Sequence, residues 1–131
     1  MPSAVTGPQQ ISIDPSGKLV TVAAFAQSGG NQTVKIVDSS GNEVFSASGS
    51  SRSGGVFTYV GGGSFTSGGD GTYTVTLTEG SGILVGEDTI VEKGEVFLHR
   101  YSFITNDGGA NAGDRDFNDL FVTLSVFGYT G

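Results

Sequence analysis

Polar and apolar positions alternate through much of this chain. Residues 72–78 read TYTVTLT: Tyr73, Val75 and Leu77 share one face and threonines hold the other. That period of two predicts a half-buried strand. Leu120–Phe127 repeats it, with Leu120, Val122, Leu124 and Val126 on one side and Phe121, Thr123, Ser125 and Phe127 on the other. Both faces of that last strand carry large side chains, so one is expected against the core and one against a second subunit. Further strands are predicted over Leu19–Ala26, 32–37, 43–47 (behind the turn SSGN), 55–60 and the aromatic stretch 95–105, with weaker candidates at 82–85 and 89–91. Gly61 to Gly63 should interrupt the strand that begins at Gly55. The polar, Gly-rich run 46–55 reads as a mobile surface loop. No window sustains a 3.6-residue apolar period, and no internal repeat is visible. Short strands separated by Gly, Ser and Asn turns indicate an all-β sandwich or barrel.

Composition narrows the function classes. The 131 residues fit a single domain, 1–131, with 1–14 an N-terminal extension and the start of a first strand. Glycine is abundant but clustered, without the every-third-residue repeat of collagen. A formal net charge of −7, from 13 acidic and 6 basic residues, argues against a nucleic-acid partner. There is no cysteine, so no disulfide framework is expected. No apolar run is long enough to span a membrane. The opening MPSAVTGPQQ has neither a basic n-region nor an apolar h-region. A Sec-type signal is therefore not expected in it, which leaves open a cytoplasmic location, export by another route, or a signal trimmed ahead of residue 1.

The chemistry concentrates in NDGGANAGDRDFND, residues 106–119. Asn106, Asp107, Asn111, Asp114, Asp116, Asn118 and Asp119 offer side-chain oxygens, and glycines between them let the backbone curl so that these converge. Carboxylates this close repel one another unless a cation sits among them. Hard oxygen donors suit Ca²⁺, whereas Mg²⁺ wants fewer protein ligands and Zn²⁺ wants His or Cys, of which the chain has 1 and 0. An EF-hand does not fit: Asp119 stands where that loop needs Gly, Ser125 stands where it needs Glu, and a strand follows instead of a helix. The competing reading is a solvated acidic turn. Against it, Asp119 abuts the apolar run LFV, where an unpaired carboxylate is costly.

Nothing in this pattern suggests an enzyme. A glycosidase needs two acids held apart with different pKa values, and here the acids crowd together. His99 lies in an aromatic strand segment and reads as structural. Glu87, Asp88, Glu92 and Glu95 read as a solvated acidic face, and Tyr59, Tyr73 and Tyr101 as core by alternation.

Two separated phrases carry a family resemblance. DRDFND followed by an apolar strand and a terminal Gly131, together with AFAQSGGNQTV at 24–34, resembles the bacterial calcium-dependent fucose- and mannose-binding lectins over about residues 15–131. The resemblance implies a nine-stranded antiparallel β-sandwich that forms homodimers and often tetramers. It implies two Ca²⁺ ions in the acidic loop, coordinated directly by vicinal hydroxyls of a mannose- or fucose-type ring. By position it makes Asp114, Asp116, Asn118 and Asp119 calcium ligands, and Asn106 and Asp107 candidates at the head of the run. Gln27 falls where the family's backbone touches calcium and sugar, Ser28, Gly29 and Gly30 fall on the sugar-preference loop, and Asp114, Asp116 and Asp119 join Gln27, Ser28 and Gly29 as sugar-binding residues. Gly131 would lend its carboxylate to a partner's site. The chain departs from the pattern in three places. Asn106 stands where the family has Glu, GGANAG lengthens the loop, and the tail past Asp119 is longer. The alternative function is a calcium-stabilised structural or adhesive module without a monosaccharide site.

Overall fold

A computed structural model describes residues 3–51, 57–113 and 115–129. Among them are nine strands: β1 (Gln9–Ser12), β2 (Leu19–Ala26), β3 (Gln32–Asp38), β4 (Glu43–Gly49), β5 (Thr58–Thr66), β6 (Thr72–Leu77), β7 (Gly82–Glu92), β8 (Glu95–Asn106) and β9 (Leu120–Phe127). They form two antiparallel sheets, of four strands in the order β1-β6-β3-β4 and of five in the order β5-β2-β9-β8-β7. The sheets stack face to face as a sandwich. Inward positions of β2, β3, β6, β8 and β9, among them Val22, Ile36, Val75, Phe103, Val122 and Leu124, fill the space between them.

The alternation of β6 and β9 is realised as expected, with Tyr73, Val75 and Leu77 buried and Leu120, Val122, Leu124 and Val126 buried. Three strand expectations are corrected. β5 runs through the glycine triplet instead of stopping at it. The reason is the close approach of edge strands β4 and β5. A Cβ on Gly61 would lie 2.7 Å from the Ala47 Cβ, and one on Gly49 would lie 2.8 Å from Val60 Cγ1. Real atoms need about 3.5–4.0 Å. β4 correspondingly extends to Gly49, into the run read as loop; residues 52–56 of that run lie outside the described residues. The two weak candidates around 82–91 are one strand, because its polar middle is paired across to β8. Asp88 accepts two hydrogen bonds from Arg100 (3.0 and 2.8 Å), and Glu87 Oε2 lies 2.6 Å from His99 Nε2. A two-residue turn closes this hairpin, with Lys93 and Gly94 both at positive φ, the form whose twist matches the flanking strands. The acidic face expected at 87–95 is therefore largely engaged in pairs, Glu95 too accepting from the Tyr129 hydroxyl.

Tyr73 and Tyr101 are core, as alternation suggests, but Tyr59 is 59% exposed. It stands on the outer face of the five-stranded sheet, edge-on to Phe25 at 5.6 Å. Phe25 is in turn the cross-strand neighbour of Phe121.

Candidate functional site

Strand ends converge at one end of the sandwich. β2 ends at Ala26 and β3 begins at Gln32, while β8 ends at Asn106 and β9 begins at Leu120. The two connecting loops, 27–31 and 107–119, therefore lie side by side. Backbone hydrogen bonds join them: Gln27 N and Ser28 N donate to Asp119 O at 3.0 and 3.4 Å, and Asp119 N donates to Thr105 O at 3.1 Å. The order of two central strands thus brings together the two phrases that stood out in sequence.

The glycine-rich half of the longer loop folds back on the sandwich. Asn106, only 2% exposed, donates through Nδ2 to Gly109 O (2.7 Å) and Ala112 O (2.8 Å). This amide braces GGANAG against the start of β7, where a Cβ on Gly82 would fall 2.5 Å from the Ala110 backbone. Asn111, exposed, accepts from Arg115 Nε at 3.2 Å.

In the acidic half the backbone is strained. Arg115 and Phe117 have φ of 55° and 53°. Such values in bulky residues cost on the order of 1–3 kcal/mol each and persist only where the surroundings enforce them. Phe117 is buried, and the Arg115 guanidinium lies over its ring at 5.2 Å from the centroid. Around that anchor Arg115 and Asp116 are exposed, while Asn118 and Asp119 are half-buried. Asp114 and Gly131, both named as ligands on resemblance, lie outside the described residues.

Each remaining site residue has a definite setting. Asp119 Oδ2 accepts from Asp107 N at 2.7 Å. Asp116 Oδ1 accepts a long bond from Asn118 N at 3.4 Å. Asp107 is held by two side chains: Gln32 Nε2 lies 3.0 and 3.2 Å from its oxygens, and Ser28 Oγ donates to Oδ2 at 2.7 Å. Gly29 is exposed on the rim, and Gln27 is half-buried. Asn118 Oδ1 is buried with no hydrogen-bond partner among the described residues. An orphaned acceptor of this kind costs about 1–3 kcal/mol unless something electropositive meets it. That atom, beside carboxylates on a strained loop, fits a hard cation. Among the described residues alone no three His, Asp or Glu groups are arranged to hold a metal, so a full ligand set would draw on the Asn118 amide and Asp114.

Gln32 and Thr78 escaped the sequence reading. The signal was present: Gln32 occupies the inward phase of β3, shared with Val34 and Ile36, where an amide needs a buried partner.

The sandwich closely matches several solved bacterial lectins. The C-terminal domain of the BC2L-C lectin of Burkholderia cenocepacia superposes with a TM-score of 0.69 at 20% identity, covering 94% of this chain and 97% of that domain. The Ralstonia solanacearum high-affinity mannose-binding lectin matches at 0.65 and 20% identity, over 88% and 93% of the respective chains. The Chromobacterium violaceum lectin CV2L, solved with α-methyl-fucoside, gives 0.65 and 22% over 93% and 96%. The fold class is thus that of a lectin β-sandwich. Sequence makes the assignment specific: the Fucose-binding lectin II (PA-IIL) family matches residues 11–128, and the chain belongs to that family of carbohydrate-binding lectins, not to an enzyme family. Thrombocorticin from Corticium sp. is 44% identical over 126 residues, 94% of this chain and 95% of thrombocorticin.

Proposed function

We propose that this lectin binds mannose- or fucose-type sugars in a calcium-dependent way at the loop pair 27–31 and 107–119. The carrying observation is the buried, unpartnered Asn118 Oδ1 within a loop of carboxylates whose backbone is held in left-handed conformations. Asp114, Asp116, Asn118 and Asp119 would hold the calcium, two ions by resemblance, and the Gln27 backbone would contribute from the neighbouring loop. Bound calcium supplies open coordination positions for two vicinal sugar hydroxyls. The chain's own residues do the rest. Asn106 has its amide committed to loop carbonyls and acts as the brace. Asp107 joins the acidic loop to Ser28, which with Gly29 forms the rim a sugar would meet. The fucose-binding family match, a mannose-binding structural relative and another solved with a fucoside support the ligand class.

A homodimer, with a tetramer as its further assembly, is part of the same reading. Phe25, Tyr59 and Phe121 lie together on the outer face of the five-stranded sheet, where a second copy would cover them. β9 also carries the chain roughly 25 Å away from its own loop, at about 3.3 Å per residue, so that Tyr129 packs on Phe97 at the far end. By resemblance, a carboxylate at Gly131 would serve a partner's loop. Immobilised mannose and fucose should retain the calcium-loaded protein and release it on EDTA. Retention unaffected by EDTA, or none on either sugar, would refute the proposal. Adding one residue after Gly131 should abolish retention without unfolding the protein.

A further inference from the structure

We infer that Gln32 is a positioning residue for sugar recognition, acting through Asp107 on Ser28; the inference rests on the sugar-site reading above. Gln32 is 1% exposed, so both ends of its amide must be satisfied internally. Its orientation is dictated by Thr78. The Thr78 hydroxyl oxygen accepts from Thr33 N at 3.0 Å, and its single proton is donated to Gln32 Oε1 at 2.8 Å. The amino end of Gln32 must then face Asp107, where Nε2 lies 3.0 and 3.2 Å from the two carboxylate oxygens. The flipped amide would set a carbonyl oxygen against a carboxylate and leave the Thr78 proton facing an NH₂ group.

The relay ends at the rim. Asp107 Oδ2 takes the Ser28 hydroxyl proton at 2.7 Å, while Ser28 Oγ accepts from Gly30 N at 3.0 Å. With its proton spent on Asp107, Ser28 can offer a ligand only a lone pair. It selects a sugar hydroxyl that donates, in a fixed direction. The series Thr78–Gln32–Asp107–Ser28 also ties the four-stranded sheet, through β3 and the end of β6, to the β8–β9 loop of the five-stranded sheet and to the 27–31 loop that joins the two sheets. Gln32 and Thr78 are not among the calcium ligands proposed above, and Asp107 reaches that set only through its backbone N–H to Asp119 Oδ2, which neither substitution removes, so the relay's effect should fall mainly on sugar affinity.

Calorimetry with methyl α-mannoside and methyl α-fucoside on calcium-loaded protein tests this, alongside calcium titration without sugar. Gln32→Met should weaken sugar binding about tenfold, the usual effect of losing a hydrogen bond to a charged group, and Thr78→Val, which removes a neutral bond and frees the Gln32 amide to turn, about fivefold, both with calcium affinity within about twofold of the parent. Thr78→Ser, which keeps the hydroxyl, should restore parental binding. Should Gln32→Met fail to fold, Thr78→Val still decides, because it retains both shape and Gln32. In the parent, the Gln32 side-chain amide protons should exchange slowly by NMR. Parental sugar affinity in Thr78→Val, an equal loss of calcium and sugar affinity, or fast-exchanging Gln32 amide protons would overturn the inference. A parent that binds calcium but neither sugar would instead overturn the sugar-site reading, and this inference with it.

Discussion

Replacing Gly82 by Ala adds one methyl group and should loosen the entire loop that carries the site. The new Cβ would lie 2.5 Å from both the nitrogen and Cα of Ala110, and 2.9 Å from the Gly109 carbonyl carbon. Contact distances are about 3.5–4.0 Å, and these are backbone atoms that no rotamer change can move aside. The 108–113 segment must lift by roughly 1 Å. The bonds from Asn106 Nδ2 to Gly109 O and Ala112 O, now 2.7 and 2.8 Å, would then stretch beyond useful range. Losing two bonds and leaving a buried amide short of partners should cost roughly 2–4 kcal/mol. For a chain of this size that is a fall in melting temperature of roughly 10 °C. The chain has no Trp, so circular dichroism is the natural probe of urea and thermal unfolding at fixed calcium. Calcium affinity should fall as well, since Asn106 braces the loop that bears the proposed ligands. An unchanged melting temperature and unchanged calcium affinity in Gly82→Ala would refute the idea that the inserted glycine-rich segment is seated on β7.

Calcium at 100 times its dissociation constant should stabilise the fold by about 2.7 kcal/mol, with EDTA reversing the gain; Asp116→Asn should weaken binding, and a melting midpoint indifferent to chelation would rule out the metal. Light scattering at micromolar concentration should give a dimer or tetramer mass that Tyr59→Lys lowers, since Tyr59 is exposed in the single chain; an unaltered mass would remove the outer sheet face as the interface. Asp38 and Asp70 have pKa values held below the ordinary 3.8, Asp38 chiefly by the backbone N–H of Asn42 and Asp70 chiefly by that of Thr72. Carboxylates lowered on folding add stability above their unfolded pKa and lose it as pH falls through the folded one. Acid unfolding should therefore sharpen below about pH 4, and Asp38→Asn should flatten it; an identical acid limb in the variant would discount the turn.

Sequence by itself carried the class of fold and pointed to the loop proposed as the site. Alternation in 72–78 and 120–127 determined which side chains enter the core, because in a strand successive residues must face opposite sides. The acidic run declared its chemistry because clustered carboxylates need a cation or solvent whatever surrounds them. Other features depended on which strands became neighbours. The strand through Gly61 to Gly63 looked broken, because glycine's usual local meaning is interruption; the approach of β4 at Gly61 and of the Tyr59 hydroxyl and Val22 carbonyl at Gly62 gives the run a packing reason that only the fold shows. The first strand could be placed only as a start somewhere in 1–14, since QQIS has too few residues to show a period and gains its stability by pairing with β6. The partners of His99 and Asp88 are twelve residues or so away across a hairpin, a distance that alternation does not measure. Asp107 shows the division most clearly. In sequence it is one more acid at the head of an acidic run. In the folded chain it is gripped by Gln32 and Ser28, 75 and 79 residues distant, and becomes the joint between two loops. Local pattern determines what a residue could do, but long-range hydrogen bonds exist only once the sheets have stacked, and they decide what it does.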